Sequence, residues 1–525
     1  MNPWGDCQID ECAAIRFGDF DRCLAHLEPG DLDAALAGLK PGDDVDLRAT
    51  VLSKELVGRL LRAVRNTDAR PSFGRADFTL ARFPDKRTDF NDAVFASVTF
   101  NDVIFSDHLN FEGVDFGQFC SFVGAQFSAN TSFVQSRFGE LLVRHAKFGP
   151  VQFRDVVFEG PALFTEETEF AGPANFAGAT FAGPVEFQRT RFASGAWFTE
   201  ARFHTDPGFD TVRFEGDSSF AGAEFERTER IGPLLARDLS FSRAVFQKRV
   251  IVEAVATTLN CAEATFREGS TLALRGGEID LERAVFGKPS TVSAADRPFF
   301  VDEPSAAMLK PSLLSIRGVD VADLVLTDID LAGCLFAGAH HLDKLRIEGD
   351  CESGTLRRRQ ALAEERAWRA DRTAPVGPRR IVDLYRQLRK AQEDSKNEPG
   401  AADFYYGEME MRRHSPATPW SERVILHLYW LVSGYGLRAL RALATLAVLI
   451  ALVTVGFWLG GFKTTPAFGD TLIYVAQSTV SLETKLASLP KDLTPLGEVL
   501  RLVTRVLGPL LLGLTLLAVR NRVKR

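Results

Sequence analysis

A phenylalanine recurs at steps of mostly five or six residues from Phe73 to Phe225, and the pattern continues with interruptions to Phe286. The residue two positions before it is usually small or β-branched, and the residue between them is usually polar. Neither the 3.6-residue period of a helix nor the two-residue period of a strand accounts for this spacing. A short period kept over such a length predicts a solenoid, in which each unit buries its apolar side chain by stacking on the next coil. The alternative, a phenylalanine-rich globular core, would not keep a constant spacing for so long.

The pattern resembles that of the pentapeptide-repeat family, whose consensus is a small residue, Asp or Asn, Leu or Phe, and two polar residues. Close matches are Ala76–Phe78, Thr88–Phe90, Leu109–Phe111, Val114–Phe116 and Ala174–Phe176. The resemblance implies a mainly β fold, a right-handed quadrilateral β-helix with one pentapeptide per side and with the Phe and small side chains pointing inward. Stacked rings along the axis, with a small residue leaving room for each neighbouring ring, agree with this fold. We expect the β-helix over residues 73–290.

The repeat changes twice along the chain. After Phe158 the six-residue steps often contain Gly-Pro, which suits an added corner residue, so looser coils are expected there. After Phe225 the spacing falters near Ile231–Pro233 and resumes with aliphatic residues, and a break rich in Pro, Ser and Ala follows at about 287–311. Residues 291–350 are therefore predicted to hold this loop and the last rungs, with inward side chains at Leu324, Ile329 or Leu331, and Phe336.

Residues 46–72 are predicted to begin the solenoid. Val45–Arg48 has the pattern of a first rung, and Ser53 is placed as the N-cap of a short helix. The apolar face of that helix would comprise Leu56, Leu60, Leu61 and Val64. A helix here would cover the open end of the solenoid, where rings and unpaired strand edges would otherwise be exposed.

Residues 1–45 lie outside the repeat, and we interpret them as a small cap. They contain Cys7, Cys12, Cys23 and His26, with C-x4-C, C-x10-C and C-x2-H spacings. Three thiols and an imidazole are the donor set of a closed tetrahedral zinc site, and a metal would stabilise a segment too small to build its own core. The predicted Zn²⁺ is structural, because no open coordination position or base is evident. The alternative is three unpaired cysteines beside an ordinary histidine.

Residues 351–418 are predicted to form a helical connector. Leu356–Trp368 reads as a charged helix, and Arg379-Arg380 introduces a second one. Glu398–Gly400 is expected to break the chain before a further helix over 401–413. Two amphipathic helices around a Pro-Gly turn make an αα-hairpin, which resembles one tetratricopeptide-like unit. The alternative is a plain helical linker. The apolar face of the helix that follows Arg379-Arg380 comprises Ile381, Leu384, Tyr385 and Leu388.

Residues 419–525 are predicted to associate with a membrane. Residues 419–437 are rich in Trp and Tyr but too short in their charge-free part to span a bilayer, so we expect an interfacial helix. Within the two-span membrane domain, 438–525, the apolar runs at 442–462 and 499–519 have spanning length. Arginines and lysines precede the first run and follow the second, which predicts a multi-pass membrane protein with both termini cytoplasmic.

The segment between the two spans resembles the pore helix and filter of two-pass ion channels of the bacterial type. Its pore-like positions are Ser478, Thr479, Val480, Ser481 and Leu482. They keep the Thr-Val of the potassium filter Thr-Val-Gly-Tyr-Gly but neither of its glycines, which departs from the backbone that a filter needs. Arg505 lies within the second span, and its charge is expected to reach the outer interface or to line a pore.

Composition narrows the functional classes. The formal charge of −7 over 525 residues is mild, so nucleic acid is not an expected partner. Seven cysteines, four of them scattered, suit a reducing cytosol better than a disulfide scaffold. No nucleophile–base set, phosphate-binding loop or dinucleotide fingerprint is evident in the sequence, so we do not expect the protein to be an enzyme. Two hypotheses remain: a membrane-anchored scaffold or regulator that binds a cytosolic protein, or a channel-like homo-oligomer with the solenoid as regulatory domain.

Overall fold

The computed structural model describes residues 7–464, 466–480 and 492–523. The chain divides into two compact units, residues 1–341 with 345–353, and residues 342–344 with 354–525. The first contains a parallel β-solenoid of about 13 turns, and the second is mainly helical. The predicted fold class is confirmed.

Short parallel strands from successive coils pair to form the solenoid walls. One sheet contains Val45–Asp46, Ser72–Asp77, Val94–Thr99, Phe119–Ser121, Glu140–Arg144, Ala162–Thr165 and Val185–Glu186. A second contains Arg137–Phe138, Val157–Phe158, Thr180–Phe181, Arg202–Phe203, Glu224–Phe225, Val245–Phe246, Thr265–Phe266 and Val285–Phe286. A third contains Arg82–Phe83, Arg87–Asp89, Ile104–Phe105, His108–Asn110, Gln126–Phe127, Thr131–Ser132, Lys147–Phe148, Val151–Gln152, Glu169–Phe170, Ala174–Asn175, Arg191–Phe192, Ala196–Trp197, Val212–Ser219, Arg230–Ser240, Val250–Asn260, Ser270–Arg275, Glu278–Asp280, Ser290–Ala294, Ser312–Ser315, Leu324–Thr327 and Arg346–Glu348.

Stacked phenylalanine rings fill the solenoid axis. One continuous column runs from Phe73 to Phe286, with ring centroids 4.2 to 6.1 Å apart. Further columns run from Phe83 to Phe214 and from Phe90 to Phe241. Rings of neighbouring columns meet edge to face, and burying each ring contributes roughly 1.5–3 kcal/mol. The prediction that the phenylalanine side chains of the repeat point inward is therefore confirmed.

The prediction of looser coils after Phe158 is wrong. Phe158 pairs in register with Phe181, 23 residues further along, yet the two rings stack at 4.8 Å with planes 5° apart. Successive coils come close together at Gly160 and Gly183, since a Cβ at Gly183 would lie 2.3 Å from the carbonyl oxygen of Gly160. A corner without side chains lets successive backbones approach closely, so a longer coil keeps the ring spacing.

The solenoid begins as predicted. Helix α1, Pro29–Ala37, precedes the first rung, in which Val45 pairs with Ala76. Helix α2, Lys54–Ala63, follows Ser53, whose side chain accepts a hydrogen bond from the Leu56 backbone N–H. Of the predicted apolar face, Leu56, Leu60 and Val64 are buried, whereas Leu61 is half-buried.

The break predicted at 287–311 begins later than expected. Residues Ser290–Ala294 still form a strand that pairs on both sides, so the departure from the rungs starts at 295. The loop, which includes the 3₁₀ helix Ser305–Met308, is held by Phe300 packed against Val255. After it, the inward candidates Leu324, Ile329, Leu331 and Phe336 are all buried.

The second unit is mainly helical, and two predictions for its start are wrong. Leu356–Trp368 is not one helix, because Thr355–Leu356 and Arg359–Gln360 form an antiparallel hairpin before α3, Ala363–Ala370. Arg357 and Arg358 both have positive φ, which turns the chain back and sends Arg359 into the interior. Glu398–Gly400 is the first turn of a helix rather than a break, because Asn397 caps it and Pro399 suits the first turn.

The αα-hairpin is confirmed. Helix α4, Pro378–Asp394, packs against α5, Glu398–His414. The predicted face of α4, comprising Ile381, Leu384, Tyr385 and Leu388, is buried. A Cβ at Gly407 would lie 2.5 Å from the Tyr385 ring, so the glycine at this position of α5 allows the two helices to pack closely. Four helices follow: α6, Trp420–Ser433, α7, Ala439–Gly460, α8, Phe468–Thr479, and α9, Pro495–Val523.

Candidate metal centre and membrane segment

Local backbone structure brings the four predicted ligand residues together. The Cys7 backbone N–H donates to the carbonyl of Ala14, and the Cys12 N–H donates to that of Ile9. Cys23 precedes the 3₁₀ helix Leu24–His26, in which the His26 N–H donates to the Cys23 carbonyl. The turn from Cys23 to His26 therefore directs both ligand side chains toward the same point, as the short two-ligand turns of structural zinc sites do.

The ligand atoms have the separations of a tetrahedral site. Cys23 Sγ lies 3.4 Å from His26 Nδ1, Cys7 Sγ lies 3.6 Å from the same nitrogen, and Cys12 Sγ lies 3.9 Å from Cys23 Sγ. All four atoms lie within 4.8 Å of one another. Tetrahedral zinc with ordinary bond lengths places sulfur atoms ~3.8 Å apart and sulfur and nitrogen ~3.5 Å apart. The four side chains are thus placed to hold one metal ion.

The pKa values of the thiols reflect their crowding. Burial, and then the charges of Cys12 and Cys7, raises the pKa of Cys23 to about 12. At Cys7, burial acts to raise the pKa, but hydrogen bonds from the Cys23 and Ile9 backbone and from the His26 ring outweigh it and lower the pKa to about 7. A divalent cation would stabilise the Cys23 thiolate against the burial and the mutual repulsion that raise the pKa of this thiol.

The remaining cysteines lie in a different environment. Cys120, Cys261 and Cys334 are buried inside the solenoid, Cys351 is half-buried, and none of these four forms a disulfide. Burial raises the pKa of Cys261 to about 12 and that of Cys120 well above its ordinary value. Cys120 and Cys261 therefore pack as small apolar side chains, whereas Cys351 Sγ accepts a hydrogen bond from the Ile329 backbone N–H at 3.3 Å.

Helices α7 and α9 have the length and composition to cross a membrane. The candidate spans are 22 and 26 residues long: Ala439–Gly460, which is the whole of α7, and Pro495–Arg520, which lies within α9. At 1.5 Å per residue even the shorter one reaches about 33 Å, enough for a hydrocarbon core of about 30 Å. Only 22% and 28% of their most apolar stretches are buried, which is unlike the core helix of a soluble protein.

Helix α8 packs against both α7 and α9. Val475 lies in a cluster with Val453 and Phe457 of α7, and a Cβ at Gly508 of α9 would lie 2.7 Å from the Thr479 carbonyl oxygen. Of the predicted pore-like positions, Ser478 and Thr479 end α8 and Val480 follows in a helical conformation. Ser481 and Leu482 lie outside the described residues. Arg505 lies on an exposed side of α9, next to the buried Thr504.

A buried ionic network lies in the helical unit, and the sequence pattern did not predict it. Arg359 Nη2 donates to both carboxylate oxygens of Glu365, at 2.5 and 2.6 Å, and Arg369 Nε donates to the same group at 2.7 Å. Arg369 also reaches Glu410, which accepts from the Tyr435 hydroxyl at 3.1 Å. Glu365 and Arg359 read as solvated positions of a charged helix. What places Arg359 in the interior is the turn formed by the two arginines before it. A hydrophobic periodicity gives no indication of such a turn.

Comparison with known proteins identifies the repeat. A family model described as pentapeptide repeats (9 copies) matches residues 166–212, within the stacked-ring solenoid. No curated protein matches the chain. The chain therefore contains pentapeptide repeats within a β-solenoid, which is followed by helices that include two candidates for crossing a membrane.

Proposed function

We propose that the protein is a membrane-anchored scaffold whose solenoid binds a cytosolic protein. One observation carries this proposal: a single chain joins a solenoid of about 13 turns to two apolar helices whose side chains are mostly exposed. A solenoid presents a long, regular surface suited to a protein partner, while the apolar helices need lipid to cover them.

The solenoid surface supports a binding role over catalysis. His108 and His145 are exposed and His204 is half-buried, and they lie beside Asp107, Glu166 and Glu226 respectively. Arginine–carboxylate pairs link neighbouring coils, as at Arg137–Glu159, so the charge of the surface is mixed. A mixed surface suits a protein partner better than nucleic acid, and pentapeptide-repeat solenoids are typically not catalytic.

The orientation follows from the positive charges that flank the spans. Arg438 and Arg441 begin α7, and Arg520 and Arg522 lie near the end of α9. Such residues stay on the cytoplasmic side, so the solenoid and both termini face the cytoplasm. The interfacial helix is α6, and the Cys7, Cys12, Cys23 and His26 set holds a structural Zn²⁺ that stabilises the segment before the solenoid.

Anchoring and orientation are tested on the full chain in its host membrane. We expect the protein to stay in the pellet after an alkaline carbonate wash. A membrane-impermeant thiol reagent should label a Ser128→Cys variant, which places a thiol at an exposed solenoid position outside the metal site, above the wild-type background only after permeabilisation. Release into the supernatant contradicts anchoring. Labelling of intact cells contradicts the cytoplasmic orientation.

Partner binding is tested with detergent-solubilised full-length bait. The test variant reverses the exposed arginines Arg137, Arg191 and Arg202 to Glu. We expect a cytosolic protein to be retained by the wild type and lost by the variant, with unchanged circular dichroism. Equal retention by both, or none by either, contradicts binding through this surface.

A second candidate function is a channel-like homo-oligomer regulated by the solenoid. The packing of α8 against α7 and α9 favours it, because a short helix held between two spans is how a pore helix is supported. Purified protein in a planar bilayer tests this. A tetramer with ionic current supports it, and a monomer or dimer without current rejects it.

A further inference from the structure

A cavity of about 360 Å³ lies in the helical unit beside the start of α7. Its lining includes five arginines, Arg357, Arg359, Arg369, Arg438 and Arg441, but one carboxylate, Glu410. They come from the hairpin, from α3 and from the start of α7. So many cations around one small space favour an anionic ligand.

The positive charge of the cavity is only partly compensated. Glu365 and Glu410 pair with Arg359 and Arg369. Among the described residues, Arg357, Arg438 and Arg441 form no ion pair with a carboxylate. The cavity therefore has an excess of three cationic side chains.

Aromatic rings hold two of these arginines at the cavity wall. The Arg438 guanidinium lies 5.5 Å from the centre of the Tyr406 ring, and that of Arg441 lies 5.0 Å from the Trp430 ring. Arg441 Nη1 also donates to the Trp430 carbonyl at 3.0 Å. Ring stacking orients a guanidinium while leaving its N–H groups available, which is the arrangement that Arg uses for phosphate.

The cavity lies where a polar segment gives way to an apolar one. Arg438 is the N-cap of α7 and Arg441 is in its first turn, whereas Leu440 between them is 71% exposed. The partial positive charge of a helix start adds to that of the arginines. A ligand with a phosphate and an apolar tail would meet cations on one side and the exposed apolar surface of α7 on the other.

We infer that this cavity binds the phosphate headgroup of an anionic phospholipid from the leaflet in which α7 begins. The inference rests on the proposed membrane anchoring and adds a specific lipid site to it. Basic pockets beside spans on the cytoplasmic side suit such headgroups, and Arg–phosphate pairs are bidentate. A free phosphate ion would leave the apolar rim without a contact.

The test compares variants of the full-length protein in detergent. Arg357→Gln with Arg438→Gln removes two uncompensated charges from the cavity, and Arg379→Gln with Arg380→Gln removes two exposed charges outside its lining as the control. The probes are phosphatidylglycerol, phosphatidylcholine and inorganic phosphate, with bound lipid counted by native mass spectrometry. We expect the cavity variant to bind phosphatidylglycerol about tenfold more weakly, and the control to stay within about twofold of wild type.

Three results overturn the inference. They are equal phosphatidylglycerol binding by the cavity variant, equal binding of both lipids by the wild type, and full displacement of the lipid by millimolar inorganic phosphate. The two wild-type results decide the matter even if the variant does not fold. The carbonate wash on the same proteins separates this inference from the proposed function. A wild type that stays in the pellet without lipid preference rejects only the lipid site, and one that is released rejects the anchoring itself.

Discussion

The rings of Phe158 and Phe181 stack at 4.8 Å across a coil of 23 residues, as closely as Phe225 and Phe246 do across one of 21. The spacing between coils is therefore set by the ring column and the parallel strands rather than by the number of residues per coil. Corners absorb the difference in length. This relationship makes the column the main stabilising element of the solenoid.

Removing one ring from the column is expected to destabilise the solenoid strongly. Phe181→Ala should lower the free energy of unfolding by about 3–5 kcal/mol, because the ring is fully buried and leaves a cavity. Trp197→Ala is the control, since that ring is 36% exposed, and should cost below about 1 kcal/mol. Urea unfolding followed by β-sheet circular dichroism measures both. Equal losses would contradict the column as the stabilising element.

A side chain at the glycine corner is expected to push two coils apart. A Cβ at Gly183 would lie 2.3 Å from the Gly160 carbonyl oxygen, whereas one at Gly333 would meet nothing within 4 Å. Gly183→Ala should therefore cost about 1–3 kcal/mol of stability, and Gly333→Ala should be nearly neutral. Thermal unfolding of the two variants side by side measures the difference. A neutral Gly183→Ala would mean that the corner has room to relax.

Sequence periodicity predicted the solenoid because its interior depends on one residue type at one spacing. Phe78 and Phe83 are buried where the five-residue step places them, and the Ser53 cap follows from a short local pattern. Coil tightness was not predictable, because it depends on Gly160 and Gly183, which are distant in sequence and meet only in the fold.

The candidate sites were predictable to different degrees. Cys23 and His26 are three residues apart, so one turn brings them together, whereas the approach of Cys7 depends on the hydrogen bond to Ala14. The arginine cavity was not visible in the sequence. Arg357 and Arg438 are far apart along the chain, and only the hairpin and the start of α7 bring them to one space.

The N-terminal cysteine cluster is expected to bind about one zinc ion per chain. Elemental analysis should find it in the wild type and not in Cys23→Ser, because Cys23 contacts both His26 and Cys12 within 3.9 Å. Cys351→Ser, outside the cluster, should keep the metal. Zinc should be released as pH falls, since protons compete with the metal for the thiolates and the imidazole. A wild type without zinc would contradict the site.

Acid is expected to destabilise the helical unit through Glu365. Burial acts to raise the pKa of this carboxyl, but the Arg359 charge and its hydrogen bonds outweigh burial and lower it below the ordinary value of 4.5. A lowered carboxyl pKa contributes stability that is present above the unfolded pKa and is lost as pH falls through the folded pKa. The loss should therefore occur below about pH 4.5, with helical circular dichroism as the signal.

Glu365→Gln separates this effect from general acid unfolding. The variant leaves Arg359 buried without its charge partner, so it should lose about 3–5 kcal/mol at neutral pH. It should also lose less helix than the wild type on acidification. Asp383→Asn is the control, because Asp383 pairs with Arg386 at an exposed position. An unchanged acid transition in Glu365→Gln would place the sensitivity elsewhere.

The contact of α8 with α9 depends on a glycine, and this can be tested within one helix. A Cβ at Gly508 would lie 2.7 Å from the Thr479 carbonyl oxygen, whereas one at Gly513, in the same helix, would meet nothing within 4 Å. Gly508→Ala should therefore separate the helices at a cost of about 1–3 kcal/mol, because small residues permit close packing in membranes. Gly513→Ala should leave the packing intact and slightly favour the helix. Detergent-titration unfolding followed by helical circular dichroism compares them, and equal stability of the two variants would contradict close packing of α8 on α9.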